Sequence, residues 1–179
     1  MSVALAGPYM ASAGLLGLAG VAKLAKPTDT AGALRAAFGT SPLLSSVSTV
    51  RAIAAGEVAV AAAAFAAPGP VPPVAVAAWY VAFLLFVAVA LRRGWPIASC
   101  GCFGRPDTPP TPTHLVLDAA AAVASAGWAL TGPGRLSPVF AHQPWAGFPL
   151  ALATAVTCGL AWLVFTHPLP GRRPRRTAP

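Results

Sequence analysis

Long apolar runs, each closed by a charge, a proline or a glycine, set the pattern of this chain. A run of roughly 18 or more apolar residues can cross a bilayer as a helix, and the pattern predicts about five such spans. The first runs from about Leu5 to Ala25 and closes at Lys23, Lys26 and Pro27. The second runs from about Val47 to Ala67 and closes at Pro68, Gly69 and Pro70. A third follows from about Pro72 to Leu91 after that very short turn, so the two are expected to form an antiparallel hairpin. Arg92 and Arg93 stop it. The fourth covers about Thr113 to Thr131, with Thr111 as candidate N-cap and Pro112 at the first helical position. After a Gly/Pro-rich connection, the fifth runs from about Trp145 to Thr166.

The fold class that follows is all-α, an integral membrane bundle forming one domain over residues 1–170. The basic tail 171–179 is expected to be disordered. Between the first two spans the chain is more polar, and an amphipathic helix lying in the membrane interface is expected around Thr30 to Phe38, with an exposed linker as the alternative. Gly14, Gly17 and Gly20 recur every three residues in the first span and mark a face where another backbone can approach closely. No basic n-region precedes the apolar stretch from Met1 to Ala22, which therefore reads as a retained helix and not as a cleaved signal peptide.

Composition removes the soluble alternative. Only 9% of the residues are charged and 56% are hydrophobic, against roughly 25% charged in soluble domains. The net charge of +8 does not make a nucleic-acid face, because four of the twelve bases sit in the last eight residues and the others flank apolar runs. Bases in those places favour anionic lipid headgroups, so membrane lipids are the expected partners and nucleic acid is not. With the N-terminus outside, Arg135 alone among the bases falls outside, and Lys23, Lys26, Arg35, Arg51, Arg92, Arg93, Arg105 and the four tail arginines fall inside. The positive-inside rule thus predicts a multi-pass plasma-membrane protein with its C-terminus in the cytoplasm.

The longest connection, Gly94 to Pro112, contains five prolines and the run Ser99-Cys100-Gly101-Cys102-Phe103-Gly104. Long loops without their own structure are often functional. Two thiols one residue apart can close a small strained disulfide, and strained disulfides are the exchange-active ones. Arg92, Arg93 and Arg105 are near in sequence, and positive charge raises the thiolate fraction. Thiol–disulfide exchange is the chemistry the pair best suits. An inert reduced pair, a structural disulfide and a metal site stand beside it. For the last, only His114 and Asp107 are near enough to add ligands, short of the usual four. Neither a metal nor a cofactor is expected. Cys158, among apolar neighbours in the fifth span, reads as a packing residue, with a resolving thiol as the alternative.

Glu57 is the one acid in the middle of a span, where a carboxylate is costly and faces a partner or a water-filled cavity. Arg51 reaches it poorly along the same helix, so Lys23 from the first span is a candidate partner, in a structural or a proton-handling pair. His114 and Asp118 are four apart and share a helical face just after the cysteine loop. They read either as a local pair in the first turn or, more sharply, with His114 as the base that takes a proton from Cys100 or Cys102.

Three stretches together resemble a known family. Gly20-Val21-Ala22-Lys23-Leu24 with Pro27, Glu57 in the next span, and above all Cys100-Gly101-Cys102-Phe103-Gly104 before another span are similar to the MauE family of methylamine-utilisation membrane proteins, related to the DoxX-like proteins. The resemblance covers roughly Leu5 to Leu130. It implies a role in maturing or exporting a disulfide-rich partner protein, with Cys100 and Cys102 as the active pair and a thioredoxin-like or disulfide-rich protein as partner. A non-enzymatic membrane scaffold or small-molecule binder of the DoxX type, with Glu57 and the glycine faces lining a pocket, is the alternative.

Overall fold

The computed structural model describes residues 2–39, 45–95, 111–132 and 135–166, and these are almost entirely helical. The helices are α1 (Ala6–Ala25), α2 (Pro27–Phe38), α3 (Val47–Ala66), α4 (Val71–Arg93), α5 (Pro112–Thr131), the short α6 (Ser137–Ala141) and α7 (Phe148–Thr166). Single 3-10 turns lead into α1 and α7. The all-α membrane bundle is thus observed, and each expected span has its helix.

The spans are not equivalent. By length and composition α3, α4 and α5 can each cross a membrane, and α7 carries a shorter apolar stretch, Phe148–Leu163. Central α1 packs on α3, α4, α5 and α7 and buries more than half of its residues. Neighbouring helices cover its inner face, so it tolerates the buried Tyr9, Ser12 and Lys23, which a lipid-facing position would expose to hydrocarbon. The outward positions of α3, α4, α5 and α7 are instead Val, Leu and Phe, such as Phe65, Leu85, Val123 and Leu160. Exposed apolar side chains of this kind are what a lipid solvent requires.

Local signals work as read. Ser46 caps α3 by accepting from the Thr49 N–H at 3.0 Å. Pro27, Pro72 and Pro112 sit in first turns, where no backbone donor is missed, and Gly94 ends α4 in the left-handed region at φ 58°. The polar segment after α1 is the helix α2, as expected from its amphipathic pattern, and begins somewhat earlier, at Pro27. The connection 132–147 carries α6 and a 3-10 turn, so α7 starts at Phe148 and not at Trp145.

Close approach of α1 and α3 rests on glycine. A Cβ on Gly20 would sit 2.8 Å from the Ala54 carbonyl oxygen, and one on Gly17 would sit 3.1 Å from the Ala61 Cβ. Gly14 faces α7 instead, 3.1 Å from Cys158 Sγ. A three-residue step turns the helix about 60° short of a full turn, so the three glycines fan across two neighbours and do not share one.

The sequence of contacts fixes helix directions. Tyr9 meets Ala64, and Gly20 meets Ala54, so α1 and α3 are antiparallel. Gly7 meets Leu150, and Gly14 meets Cys158, so α1 and α7 are parallel. Tyr9 stacks on Trp128 near the end of α5, with ring centroids 5.6 Å apart. The C-terminal ends of α1 and α4 and the N-terminal ends of α3 and α5 therefore share one end of the bundle. Lys23, Lys26, Arg51, Arg92 and Arg93 gather there, while Arg135 lies beyond α5 at the other end. The tail 171–179 lies outside the described residues.

Candidate functional site

Glu57, at 0% exposure the most deeply buried acid among the described residues, projects from the middle of α3 toward α1. Lys23, at 3%, meets it from the last turn of α1. The ammonium Nζ donates to both carboxylate oxygens, at 2.6 Å to Oε1 and 2.7 Å to Oε2. Each charge alone would be costly in the membrane interior, and together they are charge-neutral. The Gly20–Ala54 contact one turn before Lys23 draws the two backbones close enough for this bond. Lys23 is thus the partner of Glu57, and Arg51 is an exposed residue in the second turn of α3.

The pair forms one wall of a cavity of about 180 Å³. The rest is mostly apolar: Ile53 from α3 and Trp79, Ala82, Phe83 and Phe86 from α4, roofed by Thr30, Ala33 and Leu34 of α2. Nζ also lies 5.1 Å from the Phe83 ring centroid, a cation–π distance. Trp79 packs over Gly56, whose missing side chain leaves room for the indole. Phe83 and Phe86 were not singled out from the sequence. Their signal was present, because positions 79, 83 and 86 follow the i, i+4, i+7 spacing of one helical face.

At the same end of the bundle, α5 begins with a reciprocal cap. The Thr111 N–H donates to His114 Nδ1 at 3.2 Å, and the Thr111 hydroxyl is 2.7 Å from the same nitrogen. His114 and Asp118 are both buried on the inner face of α5. Accepting a backbone N–H at Nδ1 leaves the ring proton of a neutral imidazole on Nε2. In this arrangement the ring is a cap, and it can serve as a base only by releasing Thr111.

Cys100, Cys102, Arg105 and Asp107 lie outside the described residues. Their frame is described: α4 and α5 pack closely along their length, so the loop leaves and returns at the end of the bundle that holds Arg92, Arg93 and the Lys23–Glu57 pair. Cys158 is buried between α7 and α1, its thiol 3.4 Å from the Ala11 carbonyl oxygen, which agrees with packing. Among the described residues no cluster of His, Cys, Asp and Glu is arranged to hold a metal.

A larger cavity, about 380 Å³, lies between α1, α5 and α7. It has hydroxyls, but Ser12, Thr154 and Thr157 each donate to a carbonyl four residues earlier on their own helix. It therefore presents an apolar surface with no free donor from these groups.

Compared with known families, residues 1–132 match the model described as "Methylamine utilisation protein MauE". No curated protein and no solved structure matches the chain. The matched range takes in α1 to α5, the Lys23–Glu57 pair and the cysteine loop.

Proposed function

This chain belongs to the MauE family of methylamine-utilisation membrane proteins, and from that premise we propose that it is a membrane thiol–disulfide exchange factor that helps mature a disulfide-containing partner protein. The observation that carries the reading is the Cys100-Gly101-Cys102 motif within the matched range. Two cysteines separated by one glycine form a strained, readily exchanged disulfide. The described helix ends support it: the loop springs from the membrane edge beside Arg92 and Arg93, where positive charge favours thiolate.

In this reading Cys100 and Cys102 carry the exchange. His114, at the returning end of the loop, takes up the thiol proton once Thr111 releases its Nδ1. The clustering of bases at the loop end of the bundle supports a cytoplasmic position for that end. A partner of thioredoxin-like or disulfide-rich type follows from the chemistry, since exchange passes through a mixed disulfide. A Cys102→Ser or Cys100→Ser variant should hold that mixed disulfide. Its isolation from the native host, absent in the doubly substituted protein, would support the proposal. Full function of the Cys100→Ser, Cys102→Ser protein in its host would end it.

A further inference from the structure

We propose that the cavity beside Lys23 and Glu57 binds the ring of a lipid-soluble quinone, with Lys23 as hydrogen-bond donor to a quinone oxygen. Four observations lead to that class. The first is unspent bonding capacity. An ammonium has three donors and a carboxylate about four acceptor positions, and among the described residues the pair spends two bonds, both internal. A third donor and further lone pairs remain on groups that line the cavity.

The second is charge. Lys23 and Glu57 neutralise each other, so an ionic ligand gains little net attraction and would have to be desolvated in the membrane. A neutral ligand with an oxygen acceptor fits better than a fatty acid or an alkylammonium ion. The third is shape. Trp79, Phe83 and Phe86 present ring faces and edges, which suit a flat ring more than a flexible acyl chain.

The fourth is access and size. Ala82 lines the cavity and is exposed on the lipid-facing side of α4, so entry is lateral, from hydrocarbon. Drug-sized ligands occupy about 300 to 1,000 Å³, so a cavity of about 180 Å³ takes a head ring and leaves a tail in the lipid. The larger groove between α1, α5 and α7 lacks this recognition, because its hydroxyls donate to backbone carbonyls, those of Ser12, Thr154 and Thr157 on their own helices and that of Tyr80 to Ser12.

Taken with the exchange reading, on which this consequence rests although the binding does not, the ligand is also the acceptor that a dithiol needs. Cys100 and Cys102 lose two protons and two electrons as their S–S bond forms, and the quinone takes up both pairs to become the quinol.

The test uses the whole chain in phosphatidylcholine nanodiscs, titrated with decylubiquinone and followed by tryptophan fluorescence. Saturable quenching is expected, with much of its amplitude lost in Trp79→Phe. The Lys23→Met, Glu57→Leu double variant, which removes both charges together, should bind at least tenfold more weakly. Ile53→Phe keeps the ion pair but fills the cavity, and should weaken binding similarly. Cys100→Ser, Cys102→Ser should bind like the parent, which separates failure of the exchange reading from failure of this one. Absence of saturable quenching would overturn the proposal. So would unchanged affinity in both cavity variants, or competition by decylbenzene, which lacks the oxygens, as strong as that by the quinone.

Discussion

The Lys23 ammonium grips both oxygens of Glu57, at 2.6 and 2.7 Å, across 34 residues of chain. Neither residue could remain charged alone at that depth. The bond therefore ties α1 to α3 at the end of the bundle from which the cysteine loop emerges.

Breaking the pair from one side should be costly. Glu57→Leu leaves a buried ammonium without its carboxylate and is expected to lose about 3 to 5 kcal/mol. Glu57→Gln, which keeps one acceptor, should lose less, and Lys23→Met with Glu57→Leu should recover most of the deficit. Thermal unfolding in detergent measures all three, and a Glu57→Leu protein as stable as the parent would show that the bond holds nothing.

The α1–α3 seam makes a separate prediction. Gly20→Ala places a methyl 2.8 Å from the Ala54 carbonyl oxygen, and overpacking of that kind costs about 1 to 3 kcal/mol. Gly32→Ala, on exposed α2 with open space around it, should instead gain up to about 1 kcal/mol from helix propensity. Comparing the two melting temperatures separates contact from propensity.

Thiol reactivity should divide by position. Cys158 is buried against α1 with its thiol directed at a backbone carbonyl, so a large maleimide should leave it unlabelled in the folded protein. Reduced protein should take two labels more than oxidised protein, and Cys158→Ala should behave as the parent. Two labels gained equally under mild oxidant would remove the redox role of the loop.

His114 offers a pH experiment. His114→Ala removes the acceptor of the Thr111 N–H and should cost about 1 kcal/mol of stability as a lost cap. If the ring also takes the thiol proton, the curve of alkylation rate against pH shifts to higher pH in the variant, because thiolate then forms without that help. An unchanged curve with the stability loss alone would restrict His114 to capping.

Orientation is open to reporter fusions. Fusions after Arg93 and after Arg176 should both report the cytoplasm, as expected from the gathering of bases at that end. A periplasmic signal from either would reverse the assignment.

Much of this architecture is written in the chain itself. Apolar run length predicts the spans, since lipid demands it of any helix it touches, and Pro27, Ser46, Gly94 and Pro112 mark helix ends because local backbone chemistry does not depend on distant partners. A mid-span acid such as Glu57 announces a buried partner for the same energetic reason. Which residue that partner is, and what else meets it, were decided by tertiary packing. Lys23 reaches Glu57 because Gly20 brings α1 against Ala54, and Trp79, Phe83 and Phe86 become a cavity wall because α4 turns that face inward beside the pair. The glycine row of α1 divides between α3 and α7 because helical geometry rotates it past one neighbour. Spacing along a chain can name a face, but only the arrangement of the neighbouring helices determines what that face meets.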